Sequence, residues 1–158
     1  QQKQLAIWSQ LLYRYFLKND IKEFSVTRLE SDDFLLFNNK RISGRLDRAF
    51  ITEILKLLAS SKKVEFKGTG SDCFLVYQLS LSDLTEAIYG WAKRTGKIGK
   101  VATLVEMSSH DDLRGESFWG TPEELLLRAV QELQKSGRAE VIDLGDERNI
   151  NEMGVKFR

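Results

Sequence analysis

Proline, cysteine and histidine are each present once in this chain of 158 residues, as Pro122, Cys73 and His110. A single cysteine excludes an internal disulfide framework and suits a reducing compartment; beside Phe74 and Leu75 it reads as a buried thiol. A single histidine next to Asp111 and Asp112 lacks the separated, convergent ligands that a metal site needs, and reads as part of a solvated loop. Cys73 and His110 fall in different halves, so a thiol-imidazole pair has no support. Gly68 and Gly70 are not followed by the Gly-Lys-Ser/Thr ending of a phosphate loop and read as a turn. No stretch is long and apolar enough to cross a membrane, and the start at Gln1 is unlike a signal peptide; the expectation is a soluble, intracellular protein. Excess charge is missing too: the net charge is +1, which gives no general attraction for a polyanion. No cofactor, no metal and no enzymatic activity are expected.

What remains is an ordinary globular composition, 42% apolar and 30% charged, arranged as a repeat. In TPEELLLRAVQELQKSGRAEVI, residues 121–142, Thr121 reads as an N-cap, Pro122 as the first helical position and Glu124 as the partner of a capping box. Leu125, Leu126, Ala129, Val130 and Leu133 form one apolar face, Gly137 supplies a left-handed stop, and Ala139 to Ile142 reads as a strand. At an offset of 75, Phe50, Ile51, Ile54, Leu55 and Leu58 repeat that face, Ser61 matches Ser136 and Glu65 matches Glu140. At an offset of 76, an aromatic helix containing Tyr13 and Tyr15 matches one containing Tyr89 and Trp91. Two copies of one supersecondary plan are predicted.

In order, Leu5, Trp8, Leu12 and Tyr15 predict a first helix ending near Asn19. An extended run Phe24-Ser-Val26 follows, then the apolar-to-turn segment Leu35–Asn39 and a helix from about Leu46 to Ser60. Strands Val64–Phe66 and Phe74–Tyr77 enclose the loop Lys67–Asp72 as a hairpin. The second half opens on a helix capped by Ser80 or Ser82, carrying Leu84, Ile88 and Trp91 and ended by Gly96 and Gly99. Next come a strand Val101–Val105, a polar loop Ser108–Glu116, the aromatic pair Phe118-Trp119, the capped helix, and a hairpin of Ala139–Ile142 and Val155–Phe157 around a charged loop from Gly145 to Gly154. The order helix, strand, short helix or turn, helix, hairpin is that of a winged helix. The expected fold is α+β, mainly helical, with tandem winged-helix domains at 1–79 and 80–158 and a short, stiff join.

The segments Leu5-Ala6-Ile7-Trp8, Leu36-Phe37-Asn38-Asn39, Ile88-Tyr89-Gly90-Trp91, Thr103-Leu104-Val105-Glu106, Leu125-Leu126-Leu127-Arg128-Ala129 and Gly154-Val155-Lys156-Phe157 occur in the order and spacing of a known family. Through them the chain resembles the small double winged-helix subunit of ESCRT-II, the endosomal sorting complex, which holds two copies per assembly. The resemblance implies a non-enzymatic adaptor. Its first winged helix attaches to the other ESCRT-II subunits and its second recruits an ESCRT-III subunit during multivesicular-body formation. The implied location is cytoplasmic, with recruitment to endosomal membranes and membrane contact through partners. The Pro-rich aromatic segment that the family carries before the first helix is absent ahead of Gln1; either the sequence is trimmed, which is the expected reason, or docking uses another surface.

Two other classes compete on the residues: a DNA-binding winged helix and a structural dimerisation module. DNA binding needs a cationic face. The helix from Thr121 carries Glu123, Glu124 and Glu132 against Arg128 and Lys135, and its first turn would present carboxylates to phosphates. Those carboxylates read better as charge complementing the helix dipole. Arg45, Arg48 and Lys56 stand against Asp47 and Glu53 in the first half, where Lys62, Lys63 and Lys67 read as a solvated wing. No nucleic-acid partner is expected.

Large aromatics outside the helical periodicity are candidate contact residues. Phe118 and Trp119 qualify, although they also fit as staples of the loop onto the core. A partner helix needs a shallow apolar trough. The predicted partner surface is Thr103, Leu104, Phe118 and Trp119, with Lys93 and Arg94, joined by Lys97, as a basic rim. Tyr89 and Trp91 are assigned to the core, and Glu132 to a surface pair with Arg128.

Overall fold

The computed structural model describes residues 2–39, 44–68, 70–143 and 153–158. The chain divides into two compact units, Gln1–Gln78 and Leu79–Arg158, each with its own core. Leu79 packs with the second core.

The first unit runs α1 (Gln2–Lys18), β1 (Glu23–Ser25), α2 (Val26–Glu30), β2 (Asn38–Asn39), β3 (Gly44–Arg45), α3 (Arg48–Ser60), β4 (Val64–Phe66) and β5 (Cys73–Val76). The second runs α4 (Leu81–Arg94), β6 (Val101–Thr103), α5 (Leu104–Ser109), a 3-10 turn (Asp111–Leu113), α6 (Glu123–Lys135), β7 (Ala139–Asp143) and β8 (Met153–Phe157). Three-stranded antiparallel sheets have the same plan in both, β1-β5-β4 and β6-β8-β7, the strand before the second helix lying beside the last strand of the hairpin. In the first unit β2 and β3 add a two-stranded ladder. Each unit is a winged helix. The charged hairpin loop of the second unit, from Gly145 to residue 152, lies outside the described residues, as does Thr69 in the first hairpin.

The helices form because their apolar residues fall on one face. Leu12 and Phe16 of α1, and Ile51, Ile54, Leu55 and Leu58 of α3, meet Phe24, Phe34, Phe37 and Phe74 in an aromatic-rich first core. The rings touch edge-on or tilted, as Tyr15 on Phe34 (5.1 Å) and Phe34 on Phe37 (5.2 Å). The second core joins Ile88 and Trp91 of α4 to Leu126, Ala129, Val130 and Leu133 of α6, with Phe118 and Phe157 standing edge-on to Trp91.

The repeat extends to the hydrogen bonds that end the helices. All four long helices close in the same way: the second residue past the cap donates back to the carbonyl five positions earlier, as Ile21 to Phe16, Lys63 to Leu58, Lys97 to Ala92 and Arg138 to Leu133. The intervening residue takes positive φ. In the second unit it is glycine, Gly96 (69°) and Gly137 (74°); in the first it is Asp20 (52°) and Lys62 (59°). A side chain in that conformation costs free energy, and only Asn or Asp offset it locally. A Cβ at Gly137 would meet nothing within 4 Å, so Gly137→Ala is expected to destabilise by about 1 kcal/mol through backbone strain alone, while Lys62→Gly is expected to stabilise by less than about 1 kcal/mol. Denaturant titrations in which both variants moved in the same direction would contradict this.

Several boundaries differ from the sequence expectation. Val26 does not extend the strand: the Ser25 hydroxyl accepts from Arg28 N and starts α2 there. The α3 helix begins at Arg48 because the Asp47 carboxylate caps Phe50 N. Of the two serines, Ser80 caps α4. Thr121 is not a cap; Pro122 holds that position with no side-chain hydrogen bond, and Thr121 is buried. The capping box lies instead at Thr103 and Glu106, which cuts the strand expected over Val101–Val105 to three residues. Glu132 pairs with Lys135, and Arg128 donates to Gln131. Cys73 is half-buried.

Glu123 and Glu124 do sit in the first turn of α6. Burial, and then the charge of Glu124, raise the Glu123 carboxyl above its usual range. The folded state therefore holds this proton more tightly than the unfolded one. Its stabilising contribution is full below the unfolded pKa and is lost as pH rises through the folded value. Glu123→Gln is expected to be at least as stable as the parent at neutral pH and to flatten the stability-pH profile just above the ordinary Glu pKa; a variant less stable at pH 7 would contradict this.

Candidate partner surface of the second unit

An open cleft of about 460 Å³ lies on the second unit between the end of α4 and the α5-to-turn segment, lined by Trp91, Thr95, Lys97, Glu106, His110, Asp112, Leu113 and Glu116. Its construction follows from local chemistry. The Thr103 hydroxyl accepts from Glu106 N (3.1 Å), and the Glu106 carboxylate accepts from Thr103 N (3.4 Å), which fixes the start of α5 and the Glu106 side chain. His110 ends α5, and its Nδ1 accepts from Asp112 N (3.2 Å), turning the chain into the 3-10 segment. Trp119 Nε1 donates to the His110 carbonyl (3.0 Å), and Trp119 N donates to the Glu116 carbonyl (3.1 Å). Gly120 N donates to the Ser108 carbonyl and Ser108 Oγ to the Thr121 carbonyl, so the 108–121 loop is closed by its own bonds. Arg94 reaches across to Glu116 (2.8 Å).

The residues singled out from sequence occupy distinct places. Leu104 and Phe118 are 0% exposed, so neither offers surface to a partner: Leu104 opens α5 into the core, and Phe118 stands 5.5 Å from Trp91 as its edge-on neighbour. Thr103, Arg94 and Trp119 frame the cleft by holding Glu106, Glu116 and the His110 carbonyl. Lys93 lies elsewhere, 5.4 Å over the Tyr89 ring, which Arg138 also covers at 5.0 Å. The rim is therefore mixed rather than basic: Lys97 and His110 against Glu106, Asp112 and the Arg94-bound Glu116. Trp91 is core, as expected, whereas Tyr89 is half-buried and bonds through its hydroxyl to the Arg158 carbonyl.

Sequence reasoning missed Glu106, His110, Asp112 and Glu116 as lining residues because a polar loop gives no periodic signal. The one available cue was Thr103-x-x-Glu106, a capping-box pattern. Val101 is 48% exposed on the outer strand of the sheet, beside this region.

Among the described residues no group of three or more His, Cys, Asp or Glu side chains could hold a metal, and no helix is long and apolar enough to cross a membrane. Cations of the helices that would enter a DNA groove are engaged: Arg48 with Glu30 at 3.2 Å, Lys56 with Glu53 at 3.4 Å and Lys135 with Glu132 at 3.0 Å. Fold and surface together define a tandem winged-helix protein whose second unit carries an open, mixed-charge cleft with Trp91 and Leu113 in its lining, a shape suited to protein segments rather than nucleic acid.

The family model of the ESCRT-II complex subunit matches residues 1–122. The chain is 34% identical over 156 residues to the vacuolar protein-sorting-associated protein 25 of Xenopus laevis, covering 99% of this chain and 86% of that protein. The crystal structure of subunit VPS25 of the endosomal trafficking complex ESCRT-II superposes with a TM-score of 0.77 at 22% identity, covering 99% of this chain and 87% of that one. A chain from the endosomal complex ESCRT-II (VPS22/VPS25/VPS36) gives a TM-score of 0.76 with the same identity and coverage. The chain belongs to the ESCRT-II complex subunit family.

Proposed function

We propose that this chain is the non-enzymatic adaptor of an ESCRT-II assembly, working at endosomal membranes from the cytoplasm. Its first winged helix attaches it to the larger subunits, for which the VPS22 and VPS36 of the related complex are the counterparts. Its second engages an ESCRT-III subunit. The observation that carries the second part is the cleft floored by Trp91 and Leu113 and framed by Trp119, Thr103 and Arg94. An amphipathic segment fits there, with apolar anchors toward the aromatic floor and cationic side chains facing Glu106 and Asp112.

The attachment is tested by co-purifying the full chain with the two larger subunits. The expected result is a stable complex containing two copies of this chain, with Trp119→Ala retained in the complex because its contact lies on the other unit. A chain that eluted alone, or Trp119→Ala that failed to assemble, would contradict the division of labour.

A further inference from the structure

The outer face of α1 carries a feature to which the adaptor reading assigns no contact. Lys3, Ile7, Leu11, Arg14 and Lys18 are all exposed, Ile7 at 56% and Leu11 at 39%. At about 100° per residue they share an arc of roughly 80°, along a helix about 25 Å long. That arc is opposite the side carrying the buried Ser9, Leu12 and Phe16. The helix sequence QKQLAIWSQLLYRYFLK holds no acidic residue. Among the described residues none of the three cations forms an ion pair.

The charge of the whole chain is divided in the same sense. Residues 1–78 hold 13 Lys and Arg against 9 Asp and Glu, a net +4, while residues 79–158 hold 11 against 14, a net −3. The near-zero total conceals a basic first unit. Aliphatic side chains left this far exposed between unpaired cations gain little from folding, since each cation stays hydrated and much of each aliphatic stays wet.

We propose that this stripe is a direct contact with an anionic lipid bilayer, additional to any membrane contact made through partners. Ile7 and Leu11 enter the headgroup boundary, while Lys3, Arg14 and Lys18 lie among anionic headgroups. Charge decides the occupant: the helix carries no acidic residue, its three cations are unpaired among the described residues, and the five side chains lie along one line, which a flat anionic surface meets together. Two aliphatics and three cations give weak attachment, suited to a subunit held near the membrane by other contacts and present in more than one copy. The proposal stands on α1 alone and does not depend on the reading of the cleft.

The test is sedimentation of the full chain with phosphatidylcholine vesicles, with and without phosphatidylserine, at low and moderate salt. Binding is expected only with phosphatidylserine, to be weakened by salt, and to fall by about tenfold or more in the double variant Arg14→Glu, Lys18→Glu. Ile7→Asp is expected to weaken it several-fold with no change in the thermal midpoint, because the residue is exposed. A matched reversal on the second unit, Lys97→Glu with Lys100→Glu, is the control for net charge. The proposal is overturned if the control loses as much binding as the α1 pair, or if the parent ignores phosphatidylserine. It is likewise overturned if Ile7→Asp leaves vesicle binding intact while preventing assembly with the larger subunits, which would make the stripe a protein contact.

Discussion

Alanine in place of Phe118 is expected to lower the stability of the second unit by about 3–5 kcal/mol, the usual cost of removing a fully buried aromatic side chain. Phe118 has no exposed surface and stands edge-on to Trp91, which in turn meets Phe157 of β8, so the substitution empties the junction between α4, the 108–121 loop and the hairpin. A unit of about 80 residues has little reserve against such a loss. Denaturation followed by tryptophan fluorescence should show a transition displaced to much lower denaturant. A midpoint equal to the parent's would mean that Phe118 is a surface contact residue, as its position outside the helical periodicity first suggested.

Trp119→Ala is expected to behave in the opposite way. The ring is half-exposed; its Nε1 bonds to the His110 carbonyl, and the Arg114 guanidinium lies 5.6 Å from its face. Losing one hydrogen bond and a partly exposed ring costs about 1–2 kcal/mol of stability. Affinity for the ESCRT-III segment is expected to fall by about tenfold, because losing the bond to the His110 carbonyl slackens the cleft wall. Lys93→Ala is the internal control: its ammonium group lies over Tyr89, not at the cleft, and calorimetric titration should find its affinity unchanged. Equal losses from both substitutions would place the partner on the Tyr89 face instead.

The parts of the fold legible in the sequence are those with a period. Apolar residues at spacings of three and four gave α1, α3, α4 and α6, and the 75-residue offset carried the second winged helix over from the first. The structure extends that offset to the hydrogen bond from Lys63 to Leu58 and from Arg138 to Leu133. Glycine marked the helix stops of the second unit but not those of the first, where Asp20 and Lys62 take the same conformation at a cost no composition rule reveals. Capping was misjudged because Thr121 and Glu124 have the right spacing, yet Thr121 is buried and Pro122 takes the cap position. Whether a cap bond forms depends on where the preceding loop is held, here by Gly120 and Ser108.

The candidate surface was legible only in part, for a related reason. An aromatic residue outside a helix can anchor a loop or meet a partner, and sequence alone does not separate the adjacent Phe118 and Trp119. Packing separates them: the Phe118 ring fills the core, and the Trp119 ring stays partly exposed with its Nε1 tied to the carbonyl of the cleft residue His110. Lys93 and Arg94 are neighbours in sequence, but consecutive residues on a helix point about 100° apart, so only Arg94 reaches Glu116.

Binding of the purified full chain to the N-terminal segment of an ESCRT-III subunit, measured by titration in moderate salt beside random duplex DNA, tests the adaptor reading most directly. The account predicts saturable binding to the segment, weakened about tenfold by Trp119→Ala and unchanged by Lys93→Ala, with no binding to the duplex. Salt-sensitive binding to the duplex with none to the segment would contradict it, and would make the basic first unit a nucleic-acid surface.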